Sequence, residues 1–209
     1  MMTMRSSAPA KRRKRPGPEV REEALVAARR LLLERGPHAV TLANVGDDLG
    51  MTHANVLYHF GSAAGLQMAL MESMIKDLTA ALDHVVETLQ ADAGALRTVV
   101  DRVFDAFAKG GAGPLAAWII LSGNTEHLEP VRDAVHSLVK AIVDQATHPD
   151  ANNRVRNIVL LMTVTAFGDA VIGPHIRGML DAPDDAMRDL TTRILPYFLL
   201  QSDAPPAAA

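Results

Sequence analysis

Apolar side chains recur along most of this chain every three or four positions, the spacing of a helix face and not of a strand. Over residues 19–36, Val20, Ala24, Ala27 and Leu31 make one stripe and Leu25, Ala28 and Leu32 another, with acids at the start and Arg35-Gly36 at the end. Acids in a first turn complement the helix dipole and glycine stops the helix, so a first helix is predicted there. Two short patterns follow at 42–49 and 53–59, and Ser62 is placed to cap a long helix reaching about residue 90. The same periodicity predicts further helices near 94–109, 114–122, 130–147, 150–173 and 184–201, with Pro114 and Pro130 at first-turn positions, where a missing amide costs little. No segment alternates apolar and polar residues in the strand manner, and the chain reads as all-α.

The two short patterns lie in TLANVGDDLGMTHANVLYHF, residues 41–60. Leu42, Val45 and Leu49 give the first of them one apolar stripe. Gly50 tolerates the left-handed conformation that ends a helix, Met51 is an apolar plug, and Thr52 can accept a bond from the free amides opening the next helix. Val56, Leu57 and Phe60 are the expected buried positions of the second helix, leaving His53, Ala54, Asn55, Tyr58 and His59 outside. Two short helices about a tight turn make a helix-turn-helix, whose second helix enters a DNA major groove. Asn55 is the candidate for base readout, because a carboxamide bonds adenine in bidentate fashion; His53 could reach a guanine acceptor or a phosphate, and Ala54 a thymine methyl.

Composition adds limits. The 209 residues, 48% hydrophobic, are enough for a sizeable core. With no cysteine, disulfides and thiol chemistry are excluded, and only histidine and carboxylates remain as metal ligands. No apolar run of about 18 residues is present to span a bilayer, and the basic N-terminal stretch lacks the apolar block of a secretory signal. A cytoplasmic location without a membrane partner is expected. Net charge is −3, but residues 1–60 hold ten Lys/Arg against six Asp/Glu, whereas the rest hold 11 against 18. A basic segment on an acidic body suggests a first part that faces a polyanion. Five of its cations are Lys11, Arg12, Arg13, Lys14 and Arg15, within a Pro- and Ser-rich stretch that reads as a disordered arm over 1–18. Without them the segment is near neutral, so an ordinary solvated tail is the competing reading.

Enzymatic signatures are missing: no H-E-x-x-H, no Walker glycine-lysine loop and no G-x-S-x-G, and the histidines at 127, 136, 148 and 175 lack metal-ligand spacing. No catalytic residue, metal or cofactor is expected, and AKGGAGP at 108–114, with no strand before it, reads as a loop between helices.

From Ala24 to about Leu66 the sequence resembles the TetR (tetracycline-repressor-like) family. The matching residues are Glu34-Arg35-Gly36, Thr41, Gly50, Thr52, His59, Phe60, Ser62 and Leu66. The resemblance implies a three-helix DNA-binding domain over 19–61, in which Thr41, Thr52, Tyr58 and His59 join the residues above at the DNA. It also implies a larger helical domain over 62–201 that binds a small-molecule effector and forms a homodimer, with a flexible tail over 202–209. Two positions depart from the family pattern. Its phosphate-binding tyrosine falls on Leu57, with Tyr58 beside it, and the lysine opening its next helix falls on Ala63. Neither Leu57 nor Ala63 can supply the charge or hydrogen bond that phosphate contacts need. The Lys11–Arg15 cluster is a physical remedy, because a flexible cationic tether can enter a minor groove or track phosphates.

The larger half carries its own signal for dimerisation. In the 153–173 pattern Val155, Val159, Met162, Ala166 and Ala170 share one face while Ile158, Leu161, Thr165, Gly168 and Ile172 share another. A helix apolar nearly all round is buried on both sides. With Leu190, Ile194 and Phe198 of the last helix, the first of those faces is the expected dimer interface, a deep monomeric core being the alternative. For an effector the candidates are Phe104, Phe107, Trp118, Ile119, Met162 and Phe167, with His136 as a polar group, although apolar residues at helical spacing are more often simply core. The low charge of GPLAAWIILSG and IVLLMTVTAFG favours an apolar or amphipathic effector. The expected function is a dimeric repressor released from a palindromic DNA operator by that effector. The alternatives are an effector-independent regulator or activator of the same fold, and a helical ligand-binding protein with a degenerate helix-turn-helix.

Overall fold

The computed structural model describes residues 17–88, 93–123, 129–144 and 151–200, with side chains at 83–88, 93–94, 129–130 and 198–200 outside the description. The expected arm at Lys11–Arg15 and the tail at 202–209 also lie outside the described residues. Among those described there are ten α-helices and no strand. They are α1 (Gly17–Arg35), α2 (Leu42–Leu49), α3 (His53–Phe60), α4 (Ala63–Thr88) and α5 (Ala93–Phe107), then α6 (Ala112–Leu121), α7 (Glu129–Asp144), α8 (Ala151–Val171), α9 (Gly173–Leu180) and α10 (Ala186–Leu200). A single 3-10 turn, Pro37–Ala39, follows α1. Helix α1 therefore begins one residue before the expected end of the arm.

Two apolar cores organise these helices. Both stripes predicted for α1 face the first core, where Ala24, Ala28, Leu31 and Leu32 meet Val45 of α2, Val56 of α3, Leu66 and Leu70 of α4, and Leu115 of α6. Gly111 permits the last of these contacts. It has φ 83°, and a Cβ there would come within 2.9 Å of a Leu32 methyl, so α6 can start against α1 only with glycine at this position. The second core joins Leu82 of α4, Val100 and Phe104 of α5, Met162 and Ala166 of α8, and Leu195 of α10. Full burial of each valine, leucine, methionine or phenylalanine among them stabilises the fold by about 1.5–3 kcal/mol.

Charged groups tie α5 to α10 along the edge of the second core. Arg188 donates to Asp105 at 2.7 Å and to Asp101 at 3.3 Å, and its guanidinium lies 5.5 Å from the Phe104 ring centre. Arg97 bridges Asp101 and Asp189. Burial by itself would push the Asp105 carboxyl up, but the hydrogen bonds from Arg188 and Lys109 and their charges outweigh it and hold the group below its ordinary value.

The helix expected over 150–173 is α8, and a further short helix that the pattern did not predict, α9, follows it. Helix α8 ends at Val171, and the chain bends by 73° into α9. Pro174 has no amide to continue the α8 ladder, and it sits in the first turn of α9, where none is needed. A buried ion pair between Asp169 and Arg177 spans the bend. No single described helix is long and apolar enough to cross a membrane, although α8 and α9 taken together meet that test of length and composition.

Candidate nucleic-acid interface

The turn between α2 and α3 is built from its residues as the sequence predicts. Thr41 and Thr52 are extended N-caps whose Oγ1 atoms accept from the amides of Asn44 (3.2 Å) and Asn55 (3.3 Å). Gly50 is left-handed at φ 61°, and the Met51 amide donates to the Gly46 carbonyl at 2.7 Å. Gly46 itself is buried where the helices cross: a Cβ there would stand 2.9 Å from the Met51 carbonyl oxygen and 3.6 Å from the His53 nitrogen. Helix α3 is then held on its inner side by Val56 and Phe60, both buried.

Leu57, expected among the buried positions, is 39% exposed. With Val56 and Phe60 four residues apart on an eight-residue helix, the buried stripe is one side chain wide. Leu57, about 100° round the axis, falls off it. The outward face of α3 therefore carries Thr52, His53, Ala54, Asn55, Leu57 and Tyr58, the last 86% exposed. This face is open, and each cap hydroxyl still has a proton to donate after accepting its bond. Thr41 is half-buried at the start of α2.

His59 is half-buried, and its ring stands edge-on to Tyr58 with centroids 5.3 Å apart. On its other side Cε1 lies 3.8 Å from where a Cβ on Gly17 would sit, which places the first residues of α1 beside the end of α3. Arg21, one turn further along α1, donates to the His59 carbonyl at 2.8 Å and stacks 4.7 Å from the Phe60 ring centre. Arg21 thus positions α3, a role that its place in the α1 pattern did not suggest. Gln67 was likewise unforeseen: it is buried in α4 and donates to the Val40 carbonyl at 3.2 Å. Ser62 caps α4 through the Gly65 amide at 2.9 Å, and Ala63 follows it, exposed.

The expected effector-site residues do not gather in one cavity. Phe104, Phe107 and Met162 pack in the second core, whereas Ile119 packs in the first. Trp118 is 38% exposed on α6, and Phe167 is half-buried on α8. His136 lies apart from all of these, on a groove between α7 and α8. Apolar residues at helical spacing filled the helix interfaces first, leaving the expected pocket packed with its own lining.

The expected dimer face needs a correction too. Val155, Met162 and Ala166 are buried within the subunit, Ala170 packs near Gly113 of α6, and Val159 lines the α7–α8 groove. Their apolar surface is used inside the chain. The open apolar stripe of α8 is Leu160 (64% exposed) and Val164 (59%), and beside it α10 presents Leu190, Ile194 and Tyr197. Leu190 and Ile194 remain on an open face, while the Phe198 side chain falls outside the described residues. Helical spacing showed that α8 was apolar on more than one side, but which side met α5 and α10 depends on tertiary packing. Among the described residues no three histidines or carboxylates cluster closely enough to hold a metal ion.

A tight glycine turn, two threonine caps and an open polar face on the second helix define a helix-turn-helix protein. The family profile of bacterial regulatory proteins, tetR family, matches residues 24–70. HTH-type transcriptional activator FasR of Mycolicibacterium smegmatis is 27% identical over 90 residues, which are 43% of this chain and 41% of that protein. HTH-type transcriptional regulator BetI of Brucella suis biovar 1 is 24% identical over 197 residues, 90% of this chain and 94% of that one. The multidrug-binding protein EbrR, solved in complex with ethidium, shares the fold with a TM-score of 0.64 at 16% identity, covering 87% of this chain and 98% of that chain. Residues 24–70 thus match the DNA-binding segment of the TetR family, and the relatives and the shared fold support a TetR-family regulator, a class of transcriptional regulators that bind DNA and often respond to ligands.

Proposed function

We propose that the protein is a cytoplasmic homodimeric repressor that binds a palindromic operator through α3 and leaves it when an apolar or amphipathic effector binds the helical body. The observation that carries the DNA reading is the face of α3, with Asn55 exposed one turn after the Thr52 cap while Val56 and Phe60 hold the opposite side. Asn55 contacts a base edge, and Thr41, Thr52, His53, Ala54, Tyr58 and His59 surround it at the groove. The Lys11–Arg15 cluster supplies backbone charge in place of the groups absent at Leu57 and Ala63. Only Pro16 separates it from Gly17, whose position beside His59 roots the arm at the end of α3. Dimerisation uses Leu160, Val164, Leu190, Ile194 and Tyr197, because a large open apolar face on two adjacent helices is the signature of an association surface and two half-sites need two recognition helices. A small-molecule effector is supported by the ethidium complex of EbrR, which has the same fold.

The test is a salt-dependent mobility shift on an operator selected from random DNA. Replacing Lys11–Arg15 with glutamine should weaken binding to all sequences alike, with about 0.9 lost from the slope of log K against log salt for each phosphate contact removed. Asn55→Ala should lose about 1–3 kcal/mol at one operator position and keep nearly the same slope. An arm replacement that leaves affinity and slope untouched removes the arm from the reading. Asn55→Ala binding every sequence as the parent does removes base readout by Asn55.

A further inference from the structure

The groove between α7 and α8, with a volume of about 680 Å³, falls in the size range of small-molecule sites and lies outside both apolar cores. Val135, Val139 and Val143 line it from α7, and Val159 and Leu160 from α8. The three valines repeat every four residues, so they form one apolar strip about 12 Å long at 1.5 Å per residue. Its charged groups are of one sign: Lys140 and Arg156 line the groove with the polar residues His136, Asn152 and Thr163, and no carboxylate does. Arg156 has no ion pair among the described residues. Lys140 approaches Asp144 at 3.7 Å, but both are mostly exposed, and such a pair holds a cation only weakly.

The two helices are joined by a six-residue connection and pack along one another in antiparallel fashion, which sets Lys140 and Arg156 on opposite walls near the connection. His136 and Thr163 stand toward the other end. One end of the groove is thus cationic, and the strip running from it is apolar. A second copy of the chain fits this lining poorly, because the apolar side chains open on the dimer-side face of α8 carry no matching carboxylate row. Leu160 stands at the edge shared by that face and the groove, whereas Val164 lies about 100° round α8 from Thr163, off the groove.

We propose that this groove binds an amphipathic anion, its carboxylate held between Lys140 and Arg156 and its alkyl chain lying along Val139, Val135 and Val159. The site deepens the effector reading above and rests on it only for its effect on DNA. Helix α7 packs along α4, which begins directly after the recognition helix, so an occupied groove has a physical route to the DNA-binding end.

The probe is dodecanoate below its micellar concentration, titrated into the full-length protein by calorimetry, with dodecyltrimethylammonium and acetate as comparators. Dodecanoate should bind, and both comparators should bind at least tenfold more weakly. The Lys140→Gln, Arg156→Gln double variant, altered only at exposed positions, should keep the parent's thermal unfolding and lose at least tenfold in dodecanoate affinity; Val139→Asp should lose as much. No binding of dodecanoate, equal binding of the cationic analogue, or unchanged affinity in the double variant overturns the site. If dodecanoate binds as described and the protein shifts no DNA, the site stands and the regulator reading fails. If DNA binds but its affinity ignores saturating dodecanoate, the effector role of this groove is overturned.

Discussion

Gly46 holds the two helices of the DNA-binding turn at a fixed separation, and Gly46→Val shows how narrow that tolerance is. A Cβ at position 46 would stand 2.9 Å from the Met51 carbonyl oxygen, closer than real Cβ atoms come, and 3.6 Å from both the His53 nitrogen and the Thr52 carbonyl carbon. None of these atoms is the end of a flexible side chain. The backbone of the turn must therefore move, and with it the Met51–Gly46 hydrogen bond of 2.7 Å and the start of α3. Overpacking of this kind costs about 1–3 kcal/mol, and valine adds two γ-methyls to the same gap. Gly50→Ala is the control. It places a side chain at φ 61°, at the end of α2, and costs about 1–2 kcal/mol of backbone strain. The two variants should then be similarly destabilised in urea, while Gly46→Val loses far more operator affinity at a temperature where both are folded. Circular dichroism sets that temperature and the mobility shift reads the affinity. If folded Gly46→Val binds its operator as tightly as Gly50→Ala does, Gly46 does not set the angle of α3 and the geometric argument is wrong.

Two further predictions concern the body. Leu160→Glu combined with Val164→Glu should convert a dimer into a folded monomer by light scattering, since buried unpaired charges cost several kcal/mol, whereas a monomeric parent protein or a dimeric variant would remove that face from the assembly. Asp105, held below the ordinary carboxylate range, contributes stability that is complete above its unfolded value near about 3.9 and is lost as pH falls through the depressed folded value. The urea midpoint should accordingly drop more steeply between about pH 5 and pH 2 in the parent than in Asp105→Asn, and equal slopes would exclude Asp105 as a source of the acid sensitivity.

What was legible beforehand follows from how local each signal is. The helix-turn-helix depends on residues a few positions apart: Thr41 and Thr52 as caps, Gly50 as the left-handed stop, and Val56 with Phe60 four residues on. All of these could be placed from the sequence. Leu57 was misassigned because α3 buries only the stripe of Val56 and Phe60 against α1, α2 and α4, narrower than periodicity suggests. Helix α9 was not foreseen, since Gly173-Pro174 reads as a stop and the eight residues of α9 are too few to show a helical period. The dimer and effector residues were out of reach for a different reason. Helix α8 is apolar on several sides, and which of them meets α5, α6 or α10 is decided by side chains tens of residues away along the chain. Arg21 and Asp169 escaped notice because a surface cation and a lone carboxylate acquire their roles only when Phe60 and Arg177 are brought beside them.

Helix α4 gives the molecule a mechanical gearing. Its 26 residues span about 39 Å at 1.5 Å each, from Ala63 directly behind the recognition helix to its far half in the second core. A rod of that length swung by about 5° about its far end carries its near end through about 3.4 Å, which is the rise of one nucleotide step along a DNA strand. In the proposed two-fold pair the swing counts twice, so a rotation of that size shifts the two reading heads by about two steps relative to each other. Half-site spacing is then a sensitive angular gauge of the body. Operators lengthened or shortened by single base pairs would report which angle the unliganded protein adopts.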